Sequence, residues 1–347
     1  MKPLYSWMYP SDPSTAESPP SLETCSSVGT RLGNFLASVH CDAALLLKSQ
    51  TLTDDGKPWF ENPDTKDLVR DQVVGRVLPI LQPWIDPETG RTEKIAKIIS
   101  QDFEHGFLEN LLSSSPPSSV LQSMFSTGDL WTGSIIVDAS PATSGFGAIT
   151  EVGVGLIDWE FATPARIGQD IAQLSAWLYL LSTSSAWSSP ESHCRHTVED
   201  AITILAKPVT GGMLGWWSAA GTLTDALLKA YALKVKEYPD YAWFVDEDYD
   251  QHRLKKERLA VIRSIWILFG REVIFGSVEA KVKFAGFFTV DGDGGEGEEE
   301  VKMWQREMIE VGYRYVSVAG ESSDEEFEVA VRKESVLKRL YTVSGSL

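Results

Sequence analysis

Two segments decide the fold that this sequence predicts: FSTGDLWTGSIIVD at residues 125–138 and GVGLIDWEF at residues 153–161. Each combines an acidic residue with a short, β-branched apolar run that is typical of a buried strand. Asp129 precedes one run and Asp158 follows the other. A loop–strand–loop–strand unit can bring both carboxylates to one edge of a small sheet. Such an edge suits Mg²⁺ and bound phosphates, because Mg²⁺ takes few protein carboxylates and completes its coordination with water and phosphate oxygens.

The spacing of the polar residues makes this interpretation more specific. In protein kinases the catalytic loop carries an Asp that accepts the substrate hydroxyl proton and a metal-binding Asn five positions later, and a second metal-binding Asp follows further on. Asp129, Ser134 and Asp158 occupy these three places here. Taken singly, each aspartate could also do no more than cap the end of a strand.

The stretch resembles the aminoglycoside phosphotransferase and choline kinase-like superfamily, whose pattern reads roughly H-G-D-x-x-x-x-N, a strand, and I-D-[WFP]-E. The matching segments are GDLWTG at 128–133 and IDWEF at 157–161, and GQDIA at 168–172 is similar to the family's G-x-D-[LIM]-A helix start. The run LGNFLASVH at 32–40 is similar to the first helix of the family's C-terminal lobe. The resemblance implies an α+β, protein-kinase-like C-terminal lobe, mainly helical, with a small β-hairpin sheet at the catalytic loop.

The resemblance also implies roles for individual residues. It makes Asp129 the catalytic base, and it makes Asp158 and Ser134 the ligands of Mg²⁺ and, through the metal, of ATP. Asp170 is implied to be structural and to support the catalytic loop. The other motif residues are implied to support the site as well, and they are Thr127, Gly128, Trp159 and Glu160.

Two positions depart from the family pattern. Thr127 stands where the family usually has a His that orients the loop, and Ser134 stands where it usually has Asn. A hydroxyl is a weaker metal ligand than an amide carbonyl. Methylthioribose kinases of the same superfamily nevertheless carry Gly-Ser at this place, and P-loop enzymes bind Mg²⁺ through a Ser or Thr hydroxyl.

The function that the resemblance implies is ATP-dependent phosphorylation of a small-molecule hydroxyl. The alternative is a catalytically impaired or inactive kinase-like binding module. In the superfamily an N-terminal lobe that covers and orients ATP precedes the helix at 32–40, whereas residues 1–31 contain no glycine-rich turn and no strand-borne Lys. We therefore expect either a truncated gene model or a C-terminal lobe that largely lacks its nucleotide-gripping partner.

Composition limits the partners and the compartment. With 49 acidic and 31 basic residues in 347, the formal net charge of −18 argues against nucleic acid and anionic membrane surfaces as partners. The acidity would suit a cationic acceptor such as an amino sugar or a choline-like alcohol. The sequence shows no signal peptide and no apolar stretch of membrane-spanning length. Three widely spaced cysteines, Cys25, Cys41 and Cys194, indicate free thiols in a reducing, cytoplasmic setting.

The pattern along the chain predicts three regions. Residues 1–27, rich in Pro and Ser, are expected to be a disordered leader. Residues 28–315 form the kinase-like lobe, in which His40 is expected to be a buried core residue rather than a ligand. Residues 316–347 are expected to be an acidic, charged tail that is mobile after Ser322. Helical periodicity predicts helices at 31–47, 66–84, 92–112, 168–181, 213–236, 250–284 and 298–313, and strands before and after Asp129.

Overall fold

The computed structural model describes residues 1–8, 20–49, 68, 70–85, 87–112, 124–138, 152–165, 167–187, 214–245, 252–279, 296–333 and 336–340. Helices dominate this part of the chain. The α-helices are α1 Leu4–Met8, α2 Leu22–Ser49, α3 Val77–Leu81, α4 Arg91–Leu112, α5 Gln169–Trp187, α6 Leu214–Lys236, α7 Ala242–Val245, α8 His252–Glu279, α9 Glu296–Glu321 and α10 Asp324–Lys333. A π-helical turn spans Asp71–Gly75, and 3₁₀ turns span Pro87–Thr89 and Lys338–Leu340. None of these helices combines the length and the apolar character that crossing a membrane requires.

The strands are short and form two small antiparallel sheets. They are β1 Lys2–Pro3, β2 Met124–Ser126, β3 Ile135–Asp138, β4 Gly153–Leu156 and β5 Thr163–Ala165. One sheet has the order β1–β3–β4, and the other pairs β2 with β5. The protein is therefore mainly helical with a small antiparallel sheet, in agreement with the predicted α+β class.

The closest helix packing joins α2 to α6. Gly29 and Gly33 lie one turn apart on α2, and a Cβ atom on either would come within 2.3 Å of a carbonyl oxygen of α6. Small residues at these two positions let the helix backbones approach closely. The apolar side chains that follow on the same helix, Leu32 and Leu36, are fully buried.

A second helical layer is organised around α8, which packs on α4, α5 and α9. Gly270 of α8 and Gly312 of α9 face each other, since a Cβ on either would meet the carbonyl oxygen of the other at about 2.5 Å. An aromatic cluster lies beside this contact, in which the Trp266 ring is 4.9 Å from Tyr315 and 5.2 Å from Phe327. Trp266 itself is buried, so its indole ring is part of the core.

The predicted disorder of residues 1–27 is wrong for the described part of that segment. Lys2 and Pro3 pair with Val137 and Ile136 of β3, and Leu4 and Met8 of α1 are fully buried. Helix α2 also begins earlier than predicted, at Leu22. The composition of this region is dominated by Pro and Ser, so Leu4 and Met8 gave no clear signal. At positions i and i+4 they are enough to hold a single helical turn against a neighbouring sheet.

The segment after Ser322, which was expected to be mobile, forms a helix in the part of it that the structure describes. Helix α9 continues to Glu321, and α10 follows after a two-residue break. Phe327 of α10 is fully buried, and the Arg263 guanidinium lies 4.3 Å from the centre of its ring. The many acidic residues of the tail lie on the outer face of an amphipathic helix, and the apolar residues between them reach the core.

Two of the three cysteines lie in the described part of the chain. Cys25 and Cys41 are free thiols, as predicted, and both are buried. Burial raises the pKa of each thiol to about 12, so both remain protonated at neutral pH and are poor nucleophiles. Cys194 lies outside the described residues.

The order of the N-terminal segment leads to a stability prediction. Leu4→Ala should lower the free energy of unfolding by about 2–5 kcal/mol, because Leu4 is 0% exposed and its truncation leaves a cavity. Leu22→Ala is the matched control, since Leu22 is 51% exposed and should change stability by less than about 1 kcal/mol. Denaturant unfolding of both variants measures the difference. Equal, small effects would mean that residues 1–8 do not pack on the core.

Candidate active site

The two sheets bring the loops that carry Asp129 and Asp158 together. Loop 127–134 runs from β2 to β3, and loop 157–162 runs from β4 to β5. Because β2 pairs with β5 and β3 pairs with β4, both ends of one loop lie beside the ends of the other. The N–H of Ile157 donates to the carbonyl oxygen of Ser134 at 2.9 Å, which joins the loops directly.

Gly128 allows the second close contact between the loops. Its φ of +84° is in the left-handed region, and a Cβ atom at this position would lie 2.0 Å from the carbonyl oxygen of Phe161. Glycine avoids both the backbone strain and the clash. The residue that precedes Asp129 therefore packs against the segment that follows Asp158.

Asp170, at the start of α5, fixes the first part of the Asp129 loop. Its Oδ1 accepts from the Ser126 hydroxyl at 2.5 Å, and its Oδ2 accepts from the Thr127 N–H at 2.8 Å. The Nε2 atom of His40 lies 3.0 Å from the same Oδ2. Ser126 Oγ in turn accepts from the Gly128 N–H at 3.0 Å. These bonds join Asp170 to the residues at the start of the Asp129 loop, and His40 is buried as expected.

The environment of Asp170 favours its ionised form. Burial by itself would raise the pKa of this carboxyl. The hydrogen bond from His40 and the electrostatic attraction of that ring, with the bonds from Ser126 and Thr127, outweigh burial and hold the pKa below the ordinary value of 3.8. The loop is thus held by a buried carboxylate and not by a neutral acid.

Thr127 is bonded to Asp170 through its main chain and not through its side chain. Its N–H reaches Asp170, whereas its buried hydroxyl has no hydrogen-bond partner within the part of the chain that the structure describes. Ser126, one residue earlier, provides the side-chain bonds to the loop. The sequence motif pointed to Thr127 and missed Ser126, because a serine before Thr-Gly-Asp carries no signal of its own.

Asp129 is half-buried and held from two sides. Gln173 of α5 donates from Nε2 to Asp129 Oδ1 at 3.1 Å, and its Oε1 accepts from the Leu130 N–H at 3.0 Å. The Ser134 hydroxyl donates to the Asp129 carbonyl oxygen at 3.0 Å. Sequence analysis missed Gln173, although its position three residues after Asp170 puts it on the same face of the helix.

Ser134 is buried, and its side chain closes the Asp129 loop. Besides the bond to Asp129, its Oγ lies 3.5 Å from the Trp131 N–H. The hydroxyl proton is therefore used within the loop, and the oxygen retains lone-pair capacity for one further partner. This arrangement gives Ser134 a structural task in addition to the metal-binding task implied by the resemblance.

Asp158 has an unusual backbone conformation. With a φ of +64°, it is in the left-handed region, which few residues other than glycine adopt. Its side chain is exposed, and it follows directly on the Ile157–Ser134 hydrogen bond at the end of β4. A non-glycine residue held in this region is commonly found at functional sites, where the surrounding structure maintains the strain.

The neighbours of Asp158 are exposed as well. Ile157 and Trp159 are 43% and 40% accessible, and Trp159 donates from Nε1 to the Leu156 carbonyl oxygen at 3.2 Å. The Trp159 ring also lies 6.2 Å from that of Phe125. Glu160 is exposed in the turn that returns the chain to β5. The edge next to Asp158 therefore presents apolar as well as acidic groups.

A further carboxyl group, Glu272 of α8, lies on the same side of the site. Helices α5 and α8 run parallel here, because Gly168 contacts Ile265 while Gly276 contacts Trp177. Glu272 lies one turn before Gly276 on α8, and the negative charge of Asp129 acts on its carboxyl group. No sequence signal pointed to it, since the contact joins residues about a hundred positions apart.

The electrostatics of Glu272 agree with this position. Burial raises the pKa of Glu272, and the negative charges of Asp129 and Glu279 raise it further, against the attraction of the adjacent Arg271. Arg271 pairs with Glu272 and also donates to the Gln72 carbonyl oxygen at 2.8 Å. The Asp129 side of the site thus contains two acidic groups whose charges oppose each other.

The residues that could hold a metal are oxygen donors. Among the residues covered by the structure, no group of three or more His, Cys, Asp or Glu forms a metal cluster. The exposed carboxylate of Asp158 and the buried hydroxyl of Ser134 are hard ligands of the kind that Mg²⁺ uses when water and phosphate complete its coordination. The donor set is therefore compatible with Mg²⁺ carried by a nucleotide and unsuited to a closed, all-protein metal site.

Comparison with known proteins adds no family assignment. No protein-family model matches the chain, and no curated protein matches its sequence.

The pKa of Asp170 leads to a prediction about pH. The unfolded chain takes up this proton near pH 3.8 and the folded protein only at lower pH, so the unfolded state binds more protons between the two values. The stabilisation is present above the unfolded pKa and is lost as the pH falls through the folded pKa. In Asp170→Asn this titration is absent, so we expect lower stability at pH 7 and a shallower loss of stability below about pH 5.

Urea unfolding between pH 3 and pH 7 measures this difference. Asp71→Asn is the control, because Asp71 is an exposed aspartate outside the network. If the unfolding free energy of Asp170→Asn falls with pH as steeply as that of the wild type, the buried partners do not lower the pKa of Asp170.

Proposed function

We propose that this chain is an ATP-dependent phosphotransferase with a protein-kinase-like C-terminal lobe, acting on a small-molecule hydroxyl. The observation that carries the proposal is the left-handed Asp158 at the end of β4, joined through the Ile157–Ser134 hydrogen bond to the loop of Asp129. Two carboxylates at one sheet edge, with one on a strained backbone, are what a site for metal-bound phosphate requires.

The order of elements supports the proposal. The chain runs through β2, the Asp129 loop, β3, β4, the Asp158 loop and β5. The two outer strands, β2 and β5, pair with each other, and so do the two inner strands, β3 and β4. Asp170 then begins the helix that supports the first loop. This agrees with the motif order of the aminoglycoside phosphotransferase and choline kinase-like superfamily, which the sequence resembles.

In the proposed reaction Asp129 acts on the acceptor. Its carboxylate accepts the hydroxyl proton as the hydroxyl oxygen bonds to the γ-phosphorus of ATP. The bond from that phosphorus to the β–γ bridging oxygen breaks, and ADP leaves. Gln173 and Ser134 fix the Asp129 side chain and main chain, respectively, so that little reorganisation is needed during the step. Such positioning is the main source of catalysis in phosphoryl transfer.

Asp158 is the residue that would hold Mg²⁺. Its exposed carboxylate could bind a Mg²⁺ ion that completes its coordination with water and phosphate oxygens, and the motif implies the oxygen of Ser134 as the second donor. When bound, the metal would neutralise negative charge on the β- and γ-phosphates. Because the Ser134 proton already bonds to Asp129, we assign the main share of metal binding to Asp158.

The acceptor that the site favours is a cationic alcohol. Asp129 provides a half-buried carboxylate on this side of the loop, whereas the charge of the buried Glu272 is already paired with Arg271. Trp131 follows Asp129 by two residues, and the centre of its ring lies 5.9 Å from that of Trp177 and 6.1 Å from that of Tyr5. A cation beside carboxylates and aromatic faces is stabilised by both, which agrees with the acidic composition of the chain.

A second candidate function is a kinase-like binding module without catalysis. The observation in its favour is the exposure of Ile157 and Trp159 beside Asp158. Apolar side chains at such an edge are suited to contact with another polypeptide segment. The two candidates differ in whether Mg·ATP binds and whether phosphate is transferred.

Nucleotide binding and transfer can be tested with two site variants. Millimolar ATP with Mg²⁺ should raise the melting temperature of the wild-type chain, because a ligand that binds the folded state stabilises it. In Asp158→Asn this shift should disappear. In Asp129→Asn the shift should remain, while phosphate transfer to a panel of amino alcohols falls by about 10²- to 10⁴-fold. Glu93→Gln, an exposed acid on α4, is the control.

The outcomes separate the candidates. A shift that Asp158→Asn removes, with no transfer to any acceptor, would favour a nucleotide-binding module. A shift that persists in Asp158→Asn would overturn the assignment of this residue. The absence of a shift in the wild-type chain would contradict the enzyme proposal for this polypeptide.

A further inference from the structure

A row of buried side chains leads from α6 to the Asp129 loop. The Tyr231 hydroxyl of α6 lies 2.9 Å from Nδ1 of His40 in α2, and Nε2 of His40 lies 3.0 Å from Oδ2 of Asp170. The Asp170 oxygen then accepts from the Thr127 N–H. All three side chains are at most 1% exposed, so water does not compete for these bonds.

The direction of the hydrogen bonds follows from the charge on Asp170. An ionised carboxylate only accepts, so Nε2 of His40 must carry the proton that it shares with Asp170. When the ring is neutral, Nδ1 is then an acceptor, and the partner in reach is the Tyr231 hydroxyl, whereas a charged ring would itself donate from Nδ1. Burial raises the pKa of Tyr231 well above 10, with further contributions from Cys41, Asp170 and Tyr241, so the hydroxyl keeps the proton that it donates.

We propose that Tyr231 is a positioning residue for the loop that carries Asp129, and that it acts by donating its hydroxyl proton to Nδ1 of His40. The bond to Asp170 alone leaves the imidazole free to tilt about one nitrogen. The Tyr231 bond holds the second nitrogen and so fixes the plane of the ring. Asp170 then presents its oxygens to Ser126 and Thr127 in one orientation.

A second contact of Tyr231 supports this role. Its hydroxyl lies 3.5 Å from the sulfur of Met124 in β2, the strand that leads into the loop. A thioether is a weak acceptor, so the imidazole nitrogen is the preferred partner of the proton. Tyr231 is thus close to the loop on two sides, through β2 and through His40. The inference goes beyond the proposed function, because it concerns the loop whatever reaction occurs at Asp129.

Tyr231→Phe tests the proposal, since it removes the oxygen and keeps the ring. The Nδ1 nitrogen of His40 should lose its hydrogen-bond donor, which a change in its ¹⁵N chemical shift reports. Amide hydrogen exchange at Thr127 and Gly128 should become about three- to tenfold faster, as expected for loss of one buried hydrogen bond. If phosphate transfer is established, kcat should fall while the KM for ATP stays constant.

Tyr179→Phe is the matched control, because Tyr179 is a buried tyrosine whose ring packs 5.9 Å from Phe269. It should leave exchange at Thr127 and Gly128 unchanged. Equal exchange rates in the two variants would overturn the proposal. So would a wild-type His40 with its proton on Nδ1 or with both nitrogens protonated, and this measurement needs no variant to fold.

Discussion

The buried carboxylate of Asp170 is the group on which the geometry of the site depends. An ion taken out of water needs hydrogen-bond donors around it, and leaving it unpaired would cost several kcal/mol. Its donors come from α2, from β2 and from the loop, that is, from His40, Ser126 and Thr127. The loop conformation is therefore set by the needs of a charge in the core, and only secondarily by the residues of the loop itself.

Three carboxyl groups near the site lie in three different environments. Asp158 is exposed, Asp129 is half-buried and bonded to Gln173, and Glu272 is buried beside Arg271. An exposed carboxylate can exchange ligands with water, whereas a half-buried one held in one rotamer can receive a proton at a defined position. The pKa of a buried carboxyl group changes with any charge that enters the site. This gradation arises because the loops lie at a sheet edge, between the helical core and solvent.

The long helices and the order of the site residues were predictable from sequence, because periodicity and motif spacing are local properties. Asp170 could be singled out in the same way, because it stands in a recognisable helix-start motif. Residues whose contacts join distant parts of the chain could not be predicted. Glu272 comes near the site only because α8 packs on α5, and Tyr231 only because α6 packs on α2. Prediction from sequence also failed at the N-terminus, where Leu4 and Met8 look too few to pack until a sheet lies beneath them.

The close contact between α2 and α6 has a consequence for synthesis on the ribosome. Gly29 and Gly33 fit only against a helix that begins at Leu214, so α2 leaves the ribosome long before its partner exists. At ordinary translation rates this delay is on the order of ten seconds or more. During that time the part of α2 that packs on α6 has no native partner. Nascent chains of this protein should therefore depend on chaperones that shield emerging apolar helices.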